Sequence, residues 1–182
     1  MDGFLVYRIA LAAAGLTLLG LALWFARLKM EALPRWESLP RNRWAGAVLG
    51  LIALLWCVPY ARPIAFDWMV PLLYPLAVLG AVLGYFFLDY LLVRAAGGLF
   101  ILTAYYFVHA AFEFHAPLCA ALSIGYWLLG IGGICLSGKP CWGRDLIRLG
   151  CRSARGRYVI AALLAALALL SLAGALQTEV KA

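Results

Sequence analysis

Residues 158–176 read YVIAALLAALALLSLAGAL and contain no charged side chain. A helix of about 20 largely apolar residues is long enough to cross the hydrocarbon core of a bilayer. Five further segments of this kind precede it, at residues 9–26, 44–60, 68–88, 95–112 and 117–136. Continuous apolar runs rich in Leu, Ala and Gly indicate helices, because the strands of a membrane barrel alternate polar and apolar residues. The sequence therefore predicts an all-α fold, a polytopic integral membrane protein with a six-helix transmembrane bundle.

The composition of the chain argues against a soluble domain. Hydrophobic residues make up 66% of the 182 residues and charged residues 13%, whereas a soluble domain is about half apolar. The longest segment between predicted spans, residues 137–157, is too short to fold as a domain of its own. Residues 1–182 are therefore expected to form a single transmembrane domain.

The positive charge is concentrated in two loops. Residues 27–43 hold five and residues 137–157 hold six of the 15 Lys and Arg residues, and six spans place Arg94 on the same side. Arg8, Arg62 and Lys181 fall on the other side. Because Lys and Arg near span ends remain in the cytoplasm, we expect a multi-pass protein of the cell membrane with both basic loops cytoplasmic and both termini outside. The net charge of +7 then follows from topology and requires no nucleic-acid partner.

Four arginines recur at helical spacing in the second basic loop, namely Arg144, Arg148, Arg152 and Arg155. On a helix they share one face, and Trp142, Leu146 and Leu149 share the opposite face. Such a segment is expected to lie along the cytoplasmic interface with its arginines toward anionic lipid headgroups. The competing interpretation is that the arginines only fix topology, which explains their charge but not their spacing. Three glycines, Gly143, Gly150 and Gly156, weaken the helix prediction.

Small residues and prolines predict how the spans pack. Gly46-x-x-x-Gly50 in the second span and Gly80-x-x-x-Gly84 in the third have the spacing that lets helix backbones approach closely. Ordinary packing within the chain explains both, and an internal repeat or a dimer face is the alternative. Pro75 is expected to bend the third span. The connection from Asp89 to Arg94 is so short that the third and fourth spans must form an antiparallel hairpin, with both charges near the headgroups.

A polar group marks the outer end of the fourth span. His109 and Glu113 lie one helical turn apart, with Tyr105 a turn earlier and His115 just beyond. Imidazole and carboxylate groups ligate zinc and other divalent metals, but this spacing matches no strong metal motif. A polar, water-facing helix terminus explains the same residues, so no metal and no cofactor is assigned. We expect the shared face to point into the bundle, where His109 and Glu113 would line a small polar pocket open to the outside.

The five cysteines do not indicate a redox centre, because no two are spaced as CxxC. Cys57 and Cys119 both fall at predicted outer helix ends, where an oxidising exterior would let them pair. Free, inert thiols are the alternative. The sequence leaves this choice open.

The function classes follow from how few ionisable groups the spans contain. Carriers coupled to protons and ion channels need such groups or broken helices near the midplane, and the centres of the predicted spans carry no carboxylate, Lys or Arg. The best-supported function is an accessory or structural subunit of a membrane complex, with lipids and other membrane subunits as partners. A small carrier or binding subunit for an apolar or aromatic solute is the first alternative. A lipid-modifying enzyme using His109, Glu113 and His115 is the second, and the balance is against an enzyme.

Overall fold

The computed structural model describes residues 3–115 and 118–176, except for the side chain of Ala32. Within these residues, six helical segments are long and apolar enough to cross a membrane. They are α1 (Gly3–Ala26), α3 (Arg43–Ala61), α4 (Leu73–Phe87, extended by a 3-10 turn at Val70–Leu72), α5 (Leu91–Glu113), α6 (Cys119–Gly138) and α8 (Ala154–Leu176). The connecting segments include two more helices, α2 (Leu33–Glu37) and α7 (Cys141–Arg152). The predicted all-α, six-span architecture is confirmed. Two predictions fall outside the described residues. They are Pro117 as the start of the fifth span and Lys181 as a residue of the outer side.

Three of the spans begin at least four residues earlier than the sequence predicts. Helix α1 begins at Gly3 and not at residue 9, α5 at Leu91 and not at residue 95, and α8 at Ala154 and not at residue 158. Each of these helices continues through an arginine that the sequence placed in a loop or at a span edge. The described residues form two compact units, and Arg8, Arg94 and Arg157 each contact a residue of their own unit.

The first unit contains α1, α8, the part of α5 from Thr103 and the part of α6 up to Leu129. Helices α1 and α8 pack antiparallel. At one end of the pair Arg8 Nε donates to the Ala175 carbonyl at 2.7 Å, and at the other end Arg157 Nη1 donates to the Leu28 carbonyl. Ala175 lies in the last turn of α8, where carbonyls lack partners within the helix and carry a partial negative charge, so a guanidinium there is favourable. Leu28 lies just beyond the end of α1.

The core of this unit is built from aromatic and aliphatic side chains of α1, α5 and α6. Its largest buried members are Tyr7, Leu11, Phe107, Leu122 and Tyr126. The rings of Phe107 and Tyr126 stack with centroids 4.6 Å apart. The hydroxyl of Tyr126 lies 2.9 Å from Ser171 Oγ, which itself donates to the Leu167 carbonyl at 2.8 Å. A hydroxyl that would be costly to bury alone is thereby satisfied.

The second unit contains residues 34–37 of α2, all of α3 and α4, residues 91–102 of α5 and residues 130–145. Helices α3 and α4 form an antiparallel pair in which Arg62 Nη2 donates to the Tyr74 hydroxyl at 2.7 Å. Gly46 in α3 is buried against the start of α5, where a Cβ atom would lie 2.6 Å from the backbone nitrogen of Leu92. The first glycine of the predicted close-packing motif therefore serves packing within the chain.

The α5–α6 contact of this unit brings two backbones together. A Cβ at Gly97 would lie 2.6 Å from the Gly133 carbonyl oxygen, and a Cβ at Gly133 would lie 2.6 Å from the Gly97 carbonyl oxygen. One turn earlier in α5, Arg94 Nη1 donates to the Ser137 carbonyl at 3.0 Å. The glycines permit the approach, and the arginine joins the start of α5 to the end of α6.

Two local predictions need correction. Pro75 lies in the first turn of α4, because that helix begins at Leu73; a proline there removes no hydrogen bond within the helix, and no bend is required. The corner between α4 and α5 is only residues 88–90, shorter than predicted. The Asp89 side chain is 85% exposed, as expected, whereas Arg94 is half-buried inside the first turn of α5.

Candidate functional site

The histidine–carboxylate group lies on the surface of the last turns of α5. His109 Nδ1 and Glu113 Oε2 are 3.6 Å apart, and their side chains are 66% and 61% exposed. The ring of Tyr105 lies 6.1 Å from the imidazole, centroid to centroid. The three residues do share one face, but the expectation that His109 and Glu113 point inward to line a pocket is wrong. Their exposed contact is a weak surface pair.

The other members of the predicted outer site do not complete a metal centre. His115 lies in the turn that follows α5, with a φ of 47°. Across residues 3–115 and 118–176, no three His, Cys, Asp or Glu side chains come together in a way that could hold a metal ion. Cys57 and Cys119 are both free thiols, so the structure does not pair them.

The arginine-rich segment forms α7, a helix that the sequence predicted despite its glycines. One face is buried and consists of Gly143, Ile147, Gly150 and Cys151. A Cβ at Gly143 would lie 2.6 Å from Val93 Cγ1, and one at Gly150 would lie 2.9 Å from Leu28 Cδ1. The glycines that lower helix propensity are therefore the residues that let α7 dock closely. Burial raises the pKa of the Cys151 thiol, and Arg157 opposes that effect only in part.

The remaining surface of α7 divides into a basic and an apolar strip. Arg144, Arg148 and Arg152 follow at i, i+4 and i+8 and form the basic strip. Arg144 Nε lies 3.7 Å from the Asp145 carboxylate, with the arginine side chain 28% exposed. Arg155 does not belong to this strip, because α7 ends at Arg152 and Arg155 lies in the first turn of α8.

The apolar strip of α7 exposes large side chains. Trp142 and Leu149 are each 46% exposed, and Leu146 between them is half-buried. Lys139 Nζ lies 5.7 Å from the centre of the Trp142 ring, a cation–π distance. Helix α7 is therefore buried on one side and amphipathic on its exposed surface.

A polar cavity that sequence reasoning missed lies in the second unit. It has a volume of about 420 Å³ and is lined by Arg41, Arg43, Asp89 and Tyr90. The two arginines flank Asn42, whose side chain caps α3 by accepting from the Ala45 amide at 3.1 Å. An Asn N-cap between two arginines was visible in the sequence. Asp89 and Tyr90, which complete the lining, could not be predicted from the local sequence, because they are distant along the chain from Arg41 and Arg43.

Comparison of the chain with protein-family models, with curated proteins and with solved structures finds no match.

Proposed function

We propose that this chain is an accessory or structural subunit of a membrane complex, whose work is helix packing and lipid contact. It resides in the cell membrane with the basic loops 27–43 and 137–157 in the cytoplasm and both termini outside. Its partners are other membrane subunits and the anionic headgroups of the bilayer.

The observation that carries this proposal is that polar side chains within the spans form hydrogen bonds between helices. Arg8 and Arg94 donate to carbonyls at the ends of neighbouring helices, and the Tyr126 and Ser171 hydroxyls contact each other across α6 and α8. Each of these groups stabilises a contact between helices. Interhelical hydrogen bonds and small-residue contacts are the forces that assemble helices in lipid, where no hydrophobic driving force acts between them.

Helix α7 supports the lipid-contact part of the proposal. Its exposed Trp142 and Leu149 suit the acyl–headgroup boundary, and Arg148 and Arg152 on the adjoining strip suit the phosphates above it. Near an anionic surface each such basic residue contributes about 1 kcal/mol of attraction. Trp142 and Leu149 fix the depth of the helix, and the arginines favour the cytoplasmic leaflet.

The orientation is tested with an impermeant maleimide on intact cells. Single-cysteine chains are compared, one with Cys141 alone and one with Ile64→Cys, in which the other cysteines are alanine. Cys141 is exposed in α7, and Ile64 is 86% exposed in the loop after α3. Labelling of the residue 64 thiol and protection of Cys141 until the cells are opened is the expected result. The reverse pattern contradicts the orientation.

The subunit assignment is tested by purifying the tagged chain from native membranes in a mild detergent. We expect one membrane protein to remain with it in a fixed ratio through two different separations, and a tag on that protein to retrieve this chain. A chain that purifies alone from every mild detergent contradicts the assignment. An apolar solute retained by the lone chain would favour the carrier alternative instead.

A further inference from the structure

We propose that the cavity between the start of α3 and the 88–90 corner binds the phosphoryl group of an anionic phospholipid. The cavity, about 420 Å³ in volume, is lined by Arg41, Arg43, Asp89 and Tyr90. This volume falls in the range of small-ligand sites and accommodates a phosphate with a small polar headgroup. The site is separate from the arginine strip of α7.

Each of the two corner residues contacts one of the arginines that line the cavity. Asp89 Oδ1 lies 3.6 Å from Arg43 Nη2, and the Arg41 guanidinium carbon lies 5.9 Å from the centre of the Tyr90 ring. Tyr90 has a φ of 55°, in the left-handed region that a bulky residue adopts rarely. Two consecutive corner residues thus contact the two arginines that line the cavity.

The charge of the cavity favours a phosphate. Two guanidinium groups face one carboxylate, and each guanidinium offers a planar fork of N–H donors that matches two phosphate oxygens. The Arg43–Asp89 pair is 53% and 85% exposed, so it is weak and leaves guanidinium N–H groups available. The first-turn amides of α3 add partial positive charge at the same place.

The surface beside the cavity is apolar, which identifies the ligand as a lipid. Trp44 follows Arg43 directly and is 73% exposed, and Phe86 and Phe87 at the end of α4 are 65% and 80% exposed. The Trp44 ring lies 5.2 Å from the ring of Tyr85, so α3 and α4 present one aromatic surface. A phosphate held by the arginines would place acyl chains along this surface, at the depth where aromatic rings meet headgroups.

The test uses the full chain in phosphatidylcholine nanodiscs with and without phosphatidylglycerol, and native mass spectrometry counts the phosphatidylglycerol molecules retained after extraction. Arg41→Gln with Arg43→Gln is compared with Arg27→Gln and Lys29→Gln, which removes the same charge from the same loop at two exposed positions. Loss of two charge-assisted contacts should reduce retention by about tenfold or more. The control should retain the lipid. An equal loss of phosphatidylglycerol in both variants would mean that only the net charge of the loop attracts the lipid, and it would overturn the proposal.

A second measurement needs no variant. A photoreactive phosphatidylglycerol is crosslinked to the wild-type chain, and the modified peptides are mapped. Modification of residues 39–45 or 85–90 supports the site, and modification elsewhere with none in these peptides overturns it. If inorganic phosphate or glycerol phosphate prevents the crosslink and the chain retains no phosphatidylglycerol, the arginines bind a soluble phosphate. That result would overturn the proposal that the ligand is a lipid.

Discussion

Arg94 and Ser137 each donate a hydrogen bond to the backbone of the other. Arg94 Nη1 reaches the Ser137 carbonyl at 3.0 Å, and Ser137 Oγ reaches the Arg94 carbonyl at 3.3 Å. This exchange lies one turn from Gly97 and Gly133, where the backbones of α5 and α6 meet. Hydrogen bonds are stronger where water is partly excluded, and both side chains here are half-buried. The crossing is therefore fixed both by hydrogen bonds and by the lack of side chains.

The glycine contact predicts a sharp difference between neighbouring positions. Gly133→Ala places a methyl group 2.6 Å from the Gly97 carbonyl oxygen, and overpacking of this kind costs about 1–3 kcal/mol. Gly132→Ala is the matched control, because a Cβ there meets nothing within 4 Å. Thermal unfolding in detergent micelles measures the difference. Equal melting temperatures for the two variants would show that the helices are not in backbone contact.

The buried hydroxyl pair predicts that its two members are not equivalent. Ser171 Oγ donates to the Leu167 carbonyl and accepts from Tyr126, so Ser171→Ala strands the tyrosine hydroxyl in an apolar core. Tyr126→Phe leaves Ser171 satisfied. We expect a loss of about 1–2 kcal/mol for Ser171→Ala and less for Tyr126→Phe. The double variant should recover part of the loss, and strict additivity of the unfolding free energies would rule out the pairing.

The arginine at the start of α8 predicts a stability effect that charge alone does not explain. Arg157 donates to the Leu28 carbonyl, whereas Arg155 is exposed two residues earlier. Arg157→Gln should lower the free energy of unfolding by about 1–2 kcal/mol, and Arg155→Gln should change it little. Both substitutions remove one positive charge from the first turn of α8, so topology is affected equally. Denaturant titration in micelles compares them, and similar losses for both would refute a stabilising Arg157–Leu28 contact.

The thiols of α7 predict a difference in reactivity and a dependence on pH. Cys151 is 5% exposed and Cys141 lies on the surface, so iodoacetamide should modify Cys141 several times faster. Burial raises the pKa of Cys151 above its ordinary 9.0, so the folded chain holds this proton more tightly than the unfolded chain. The free energy of unfolding should therefore fall as the pH rises above 9.0. Cys151→Ala should lack this part of the slope, and an unchanged slope would contradict the burial.

The fold was largely predictable, because six long apolar segments leave a chain in lipid few choices. The helix boundaries could not be predicted in the same way, because a prediction from apolar segments ends each span at its first charged residue. Arg8, Arg94 and Arg157 all lie inside helices, and each donates to a backbone carbonyl of a distant segment. Such partners come from distant parts of the chain and leave no local pattern. The cavity could not be predicted for the same reason, because Asp89 and Tyr90 line it together with Arg41 and Arg43 from a distant part of the chain.

The candidate sites show where sequence periodicity succeeds and where it fails. Spacing alone placed Arg144, Arg148 and Arg152 on one face of α7, but it could not see that the helix ends before Arg155. Spacing also placed His109 and Glu113 on one face of α5. It could not decide the direction of that face, because direction depends on which helices pack against α5, and both side chains lie on its surface.

The pairing of α1 with α8 has a consequence for the order in which the chain assembles during translation. Residues 27–153 separate the two helices, and the ribosome delivers the chain from its N-terminus. Helices α3 and α4 are consecutive and can pair soon after both emerge. Helix α1 instead enters the bilayer long before α8 exists, so its Leu11 and Gly15 surface must first be covered by lipid or by the insertion machinery. The first unit therefore closes late, when α8 displaces that temporary cover.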